Sequence, residues 1–80
     1  MSTTFQNLTN REMDILMLVT EGLTNREIAC KLKVSVYTVE THLRMIYAKI
    51  HARGRAHAAA WYVKHMIDNL HGERSLPENS

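Results

Sequence analysis

Apolar and polar residues recur with a helical period in four stretches of this chain, and short polar or glycine-bearing breaks separate them. In the first stretch Met13, Leu16, Met17 and Thr20 form one stripe, widened by Ile15, Leu18 and Val19. A helix from the Thr9 cap to about Glu21 follows, stopped by Gly22, whose tolerance of positive φ often ends helices. A second, shorter helix opens at Thr24 and buries Ile28, Ala29 and Leu32. Lys33, Val34 and Ser35 break it. A third helix, about 35–51, carries Val36, Val39, Leu43, Ile46 and Ile50 on one stripe. Ala52-Arg53-Gly54 ends it, with Gly54 expected to take the left-handed conformation. The fourth helix runs from about Arg55 to Leu70. Ala56, Ala59, Ala60, Val63, Met66, Ile67 and Leu70 share one side of it, and Ala58, Trp61 and Tyr62 lie elsewhere.

The pattern predicts an all-α, four-helix domain over residues 8–70, with flexible ends at 1–7 and 71–80. Two helix starts use the same five letters. Leu8-Thr9-Asn10-Arg11-Glu12 returns as Leu23-Thr24-Asn25-Arg26-Glu27. Each is a capping box, in which the threonine hydroxyl and the glutamate three residues on satisfy each other's free backbone N–H groups. Leu8 with Met13, and Leu23 with Ile28, are placed as hydrophobic staples. Each cap contributes roughly 1 kcal/mol, a large share in a chain of 80 residues.

A short capped helix, a tight turn and a longer helix with a polar outer face describe a helix-turn-helix, whose second helix enters the DNA major groove. Charge agrees with that reading. Between Thr24 and His65 eight Lys and Arg stand against two acids, a net of +6, and the rest of the chain is −4. Positive charge gathered around one motif is what a phosphate-facing surface needs. Several other classes recede. No apolar run reaches the length of a membrane span, and the N-terminus has no signal-peptide pattern. The single cysteine suits a reducing cytoplasm. Five histidines without an i,i+4 pair, and one cysteine, give no metal-ligand spacing. No nucleophile–base pair or phosphate loop marks an enzyme, and no cofactor is implied. Cys30, beside Ala29, reads as a small residue filling a helix interface.

On the outer face of the third helix, Tyr37, Glu40, Thr41 and Arg44 are the base-reading candidates. Arg44 donates two bonds to a guanine edge or, alternatively, contacts a phosphate. Thr41 meets a thymine methyl. Glu40 accepts from a cytosine amino group or serves to reject most sequences. Tyr37 reaches either backbone or base. Thr24, Asn25 and Arg26 open the second helix, where free N–H groups favour a phosphate. On the fourth helix, apolar surface including Trp61 and Tyr62 exceeds what one domain face uses. It forms either a second contact, most economically a symmetric dimer, or a cover for the domain's own edge.

These residues resemble the DNA-binding domain of LuxR-type (GerE-like) transcription regulators. Leu8, Thr9, Arg11 and Glu12 match the family's opening Leu-Thr-x-Arg-Glu, and Gly22 its helix-ending Gly. Thr24, Asn25, Arg26, Glu27, Ile28 and Ala29 match its Ser/Thr-Asn-Lys/Arg-Glu-Ile-Ala. Ser35, Thr38, Val39, His42, Ile46 and Lys49 match the recognition helix, and Arg55 and Ala58 the start of the last helix. Ile50 replaces a Leu, Glu40 stands where Lys is frequent, and Ala52 where Val is usual. The resemblance implies a four-helix domain that binds double-stranded DNA as a homodimer through its last helix. It makes Thr38, His42 and Lys49 backbone-contact candidates and places Ala58, Trp61, Tyr62 and His65 at the dimer interface. RNA polymerase or a related LuxR-type regulator is a further partner on this view, in the cytoplasm at the nucleoid. With seven residues before Leu8, no receiver or ligand-sensing domain is expected in the chain, and control is expected to come through expression level or a partner protein. The competing function is a single-domain protein that binds a related regulator through the fourth helix and modulates its DNA binding.

Overall fold

The computed structural model describes residues 8–78, with side chains through Asp68. Four helices account for the regular structure: α1 (Asn10–Thr20), α2 (Asn25–Leu32), α3 (Val36–Ile50) and α4 (Arg55–Glu78). No strand occurs among the described residues, so the all-α expectation holds. The expected flexibility of residues 1–7 lies outside the described residues.

Both capping boxes form. Thr9 Oγ1 accepts from Glu12 N–H at 3.0 Å while Glu12 Oε1 accepts from Thr9 N–H at 2.9 Å. Thr24 and Glu27 repeat this at 3.1 and 2.8 Å. Ser35 caps α3 through its hydroxyl, which accepts from Thr38 N–H at 3.0 Å. The C-termini share a device that the sequence reading recognised only at Gly22. After each of α1, α2 and α3, an N–H two or three residues past the helix returns to a carbonyl five residues back: Leu23 to Leu18, Val34 to Ala29, Ala52 to Tyr47. This closure forces the residue before it into the left-handed region. Gly22 takes it with φ 96°, but Lys33 (60°) and His51 (59°) take it as non-glycine residues. Gly54 therefore does not hold the left-handed position expected of it. Its carbonyl instead accepts the first bond of α4, from Ala58 N–H at 2.9 Å.

The core draws Ile15, Leu16, Leu18 and Val19 from α1, Ile28 and Ala29 from α2, Val39, Leu43 and Ile46 from α3, and Ala58 from α4. α1 packs against all three other helices, and α4 packs chiefly against α1. The α1 stripe that is actually buried runs through Glu12, Ile15, Leu16 and Val19, with Leu18 beside it, and leaves Met17 exposed. Val36 is exposed in the first turn of α3, ahead of the core. Cys30 is exposed too, correcting its assignment to a helix interface. α2 is one short helix, Ile28 and Ala29 supply its buried face, and the next residue points 100° further round.

On α4 the sides are exchanged relative to expectation. Ala58 is fully buried, and Trp61 and Tyr62 lie half-buried on the core, whereas Val63, Met66 and Ile67 are exposed. Ala58 sits in the core itself, with Ala59, Trp61 and Tyr62 partly buried against it. Ala58 is thus spent inside its own domain and is removed from the set of interface residues. The helix also continues to Glu78 rather than ending near Leu70. One glycine, at 72, costs a helix only about 1 kcal/mol and does not stop it.

The two loop glycines give a direct check. Gly22→Ser faces no neighbour within 4 Å but must hold φ 96°, so it is expected to lose about 1–2 kcal/mol of stability from backbone strain alone. Gly54→Ser meets neither strain nor a neighbour within 4 Å, and is expected to be neutral or stabilising by a few tenths of a kcal/mol, as a better cap for α4. Urea unfolding of the two variants measures the contrast.

Candidate nucleic-acid interface

α2 and α3 are joined by a turn of three residues, with Lys33 supplying the left-handed bend. α3 buries Val39, Leu43 and Ile46 and turns its other side outward. Tyr37 (70% exposed), Glu40 and Arg44 stand there at i, i+3 and i+7, which is one face of a helix. Among the described residues neither Glu40 nor Arg44 is held in an ion pair. Thr41, the fourth base-reading candidate, is half-buried, and its hydroxyl oxygen is buried without a hydrogen-bond partner. A contact from Thr41 is therefore left to its hydrocarbon part.

Beside this face lies a cleft of about 260 Å³ between the start of α2, the middle of α3 and the start of α4. Asn25, Glu40, Arg44, Tyr47 and Arg55 are among its walls. Arg55 is anchored: Nη1 donates to Asn25 Oδ1 at 2.7 Å and Nη2 to the Leu23 carbonyl. One guanidinium thus ties the α1–α2 turn to the first residue of α4 and adds a positive charge beside Arg44. It also fixes Asn25, whose carbonyl oxygen is occupied, so an anion there would meet backbone N–H groups of the first turn of α2. Arg26 is exposed on the same turn and Thr24 is its cap.

Of the remaining phosphate candidates, Thr38 is half-buried, with its hydroxyl 2.9 Å from Ser35 Oγ. His42 is half-buried and donates from Nδ1 to the Thr38 carbonyl at 2.8 Å. Lys49 departs from the expectation. Its ammonium donates to both oxygens of Glu12, at 2.8 and 3.1 Å, and Glu12 is only 2% exposed. Lys49 is committed to an ion pair inside the domain, because a carboxylate buried on α1 requires a counter-charge. Burial pushes the Glu12 carboxyl up. The Lys49 bond, the Thr9 N–H and the charges of Lys49 and His42 outweigh it, leaving the group below its ordinary value of 4.5.

The proposed dimer residues on α4 are engaged within the chain. The Trp61 and His65 rings stack with centroids 4.1 Å apart, and His65 Nδ1 donates to the Trp61 carbonyl at 2.8 Å. Burial raises the pKa of the Tyr62 hydroxyl, and the charges of Glu21 and Asp14 raise it further. The open apolar surface lies elsewhere, in a groove of about 550 Å³ whose walls include Thr20, Ala60, Val63, Lys64, Ile67 and Asp68. No group of three His, Cys, Asp or Glu among the described residues is placed to hold a metal ion. No described helix is long and apolar enough to cross a membrane.

Two site residues were missed by sequence reasoning, the ion-pairing role of Glu12 and the clamp at Arg55. For Glu12 a signal exists. It falls on the Ile15, Leu16, Val19 stripe, so a charge was being placed on a buried face.

A family model described as bacterial regulatory proteins, luxR family, matches residues 6–62. The chain is similar to the uncharacterized transcriptional regulatory protein YhcZ of Bacillus subtilis, 41% identical over 71 residues, which are 89% of this chain and 32% of that protein. It is similar to the response regulator protein VraR of Staphylococcus aureus and of Staphylococcus saprophyticus, 36% identical over 63 residues, 79% of this chain and 30% of each relative. The chain spans about a third of the length of these curated relatives.

The Glu12 environment fixes the sign of one pH effect. A carboxyl whose pKa falls on folding adds stability that is present above its unfolded value, near 4.5, and is lost as pH drops through the folded value. Urea midpoints measured from pH 6 down to pH 2 should fall in the parent protein and fall less steeply in Glu12→Gln. Parallel curves would mean that Glu12 contributes nothing to acid unfolding.

Proposed function

The chain belongs to the luxR family of bacterial regulatory proteins, and on that premise we propose that it binds double-stranded DNA sequence-specifically, as a dimer, and regulates transcription. The observation that carries the reading is the exposed row Tyr37, Glu40 and Arg44 on the second helix of a helix-turn-helix. α3 enters the major groove. Arg44 reads a guanine through its two parallel N–H donors, and Glu40 accepts from a cytosine amino group. The first turn of α2, with Thr24, Asn25 and Arg26, sits on the flanking phosphates, and Arg55 holds that turn in place. Thr38 and His42 add backbone contacts along α3. Lys49 is left out of this set because Glu12 already holds it.

Dimerisation is proposed through the exposed side of α4, not through the face carrying Ala58 and Trp61. Val63, Met66 and Ile67 form an exposed apolar row. Lys64 and Asp68 flank it one helical turn apart. Two such helices crossing about a two-fold axis bring each Lys64 to the other copy's Asp68, a self-complementary arrangement that a symmetric interface requires. The same row supports a second reading, in which α4 pairs with a related regulator and modulates its binding to DNA.

Selection from a random duplex library at near-physiological salt tests the first reading. An enriched inverted repeat with half-sites about one helical turn apart is the expected result, and no enrichment would overturn it. Arg44→Ala should cost about 1–3 kcal/mol on the selected site and remove the preference at one base pair per half-site. Ile67→Asp should leave the melting temperature close to that of the parent and abolish the dimer in sedimentation equilibrium. Under the second reading Ile67→Asp abolishes the regulatory effect while Arg44→Ala does not.

A further inference from the structure

One carboxylate serves two helices that are far apart in sequence. Glu12 Oε1 accepts from the backbone N–H of Thr9, closing the cap of α1, and from the ammonium of Lys49, in the last turn of α3. Oε2 accepts from the same ammonium. The carboxylate is 2% exposed, whereas the Lys49 side chain keeps 32% of its surface in solvent. Lys49 therefore reaches inward from a position where a fully solvated cation was available to it. Its charge is neutralised by the pair, and its three donors have two acceptor oxygens in a fixed place. A lysine free to track a phosphate would show neither feature.

We infer that Glu12 and Lys49 together are positioning residues for DNA reading: the pair fixes the rotation and tilt of α3 on α1, and so the aim of Tyr37, Glu40 and Arg44. The inference rests on the DNA-binding reading above and sharpens it. The geometry explains why a bond at the far end of α3 matters to its reading face. α3 meets the rest of the domain through an apolar stripe of Val39, Leu43 and Ile46, with Tyr47 and Ile50 partly buried beside it. Burial of that stripe holds α3 against the core, but the hydrophobic effect itself has no preferred direction. A doubly accepted ammonium bond to a buried, capped carboxylate is directional and adds a fixed point at the far end of the helix. Base readout through Arg44 needs that fixed point, since two parallel donors must meet two acceptors on one base edge.

The test compares Lys49→Met, Lys49→Arg and Glu12→Gln in the full chain. Glu12→Gln retains the reciprocal cap, because glutamine closes the same box, and it supplies the readout should Lys49→Met fail to fold. Affinity is measured for the selected operator and for a random duplex across a series of salt concentrations. The expected result is a loss of about ten-fold in the operator-to-random ratio for Lys49→Met and for Glu12→Gln. The double variant should be no worse than either single one. The slope of log affinity against log salt should stay unchanged in Lys49→Met, and Lys49→Arg should restore the ratio. A slope smaller by about one in Lys49→Met would make Lys49 a phosphate contact and overturn the inference. Equal losses on operator and random DNA would also overturn it, since a pair that only stabilises the fold changes the active fraction and not the ratio.

Backbone amide spectra without DNA separate this inference from the reading it rests on. Shifts spread along residues 36–44 in Lys49→Met and reversed in Lys49→Arg support positioning, even if the parent protein shows no operator preference and the DNA-binding reading falls. Shifts confined to one turn around Glu12 and Lys49 would overturn positioning with the DNA-binding reading intact.

Discussion

A carboxylate at 2% exposure is the constraint around which this domain is arranged. Taking a carboxylate out of water costs several kcal/mol unless a partner and hydrogen bonds replace its hydration. Among the described residues, Glu12 obtains that replacement from a cap N–H on its own helix and from the Lys49 ammonium of α3. The identical five-letter box at Thr24 shows what happens otherwise. Glu27 closes its box on the surface, with water as its remaining solvent. The same local solution therefore has two physical meanings. At α2 it is a cap, and at α1 it is a cap that also ties down the end of another helix.

Once α1 and α3 are joined, the remaining helices follow from what α1 leaves exposed. Its broad apolar surface, with Ile15, Leu16, Leu18 and Val19 buried, cannot be covered by α2 and α3 alone. α4 packs chiefly against α1, with Ala58 buried in the core and Trp61 and Tyr62 partly buried against it. Arg55 then ties the foot of α4 to the turn that precedes α2. The two clamps act at different places on one surface. Lys49 holds the end of α3 from within, and Arg55 holds the start of α2 from the side of the cleft. Between them the cleft and the exposed face of α3 keep a defined relation.

Features set by neighbours in sequence were legible from sequence. Both boxes, the Ser35 cap and the Gly22 stop depend on residues within a turn or two, and each forms as read. The αL positions at Lys33 and His51 were not legible, because the 6→1 closure places them by counting from the last helical carbonyl and not by residue type. The α3 stripe was legible at Val39, Leu43 and Ile46, since the opposite face is plainly polar. α4 offered no such contrast. Apolar residues occur around most of its circumference, so the period identifies two faces without saying which one meets α1. The structure buries the side carrying Ala58, Trp61 and Tyr62, a choice set by residues of α1 that lie far away in sequence. Lys49 became a backbone-contact candidate through the family resemblance, and its neighbours in sequence carry nothing against that. Its partner lies 37 positions earlier, and nothing local distinguishes a lysine that reaches inward from one that reaches out.

The formal charge of the helix-turn-helix segment overstates its electrostatic pull on DNA. Lys49 is matched by Glu12, which lies outside that segment, and Glu40 places an acid on the exposed face of α3. Arg55 keeps its charge, but two of its five donors are engaged by Asn25 and Leu23. Fewer solvated cations mean weaker sequence-independent binding and a shallower salt dependence. A single copy reading a half-site through Arg44, with few phosphate contacts behind it, would hold DNA poorly at physiological salt. Joining two copies turns the second half-site contact into an intramolecular event with a high effective concentration. On the dimeric reading proposed above, the exposed Val63, Met66 and Ile67 row takes on a use. A modest electrostatic footprint would then make pairing the means by which discrimination at a few bases becomes useful affinity, with this side of α4 as the apolar surface offered for it.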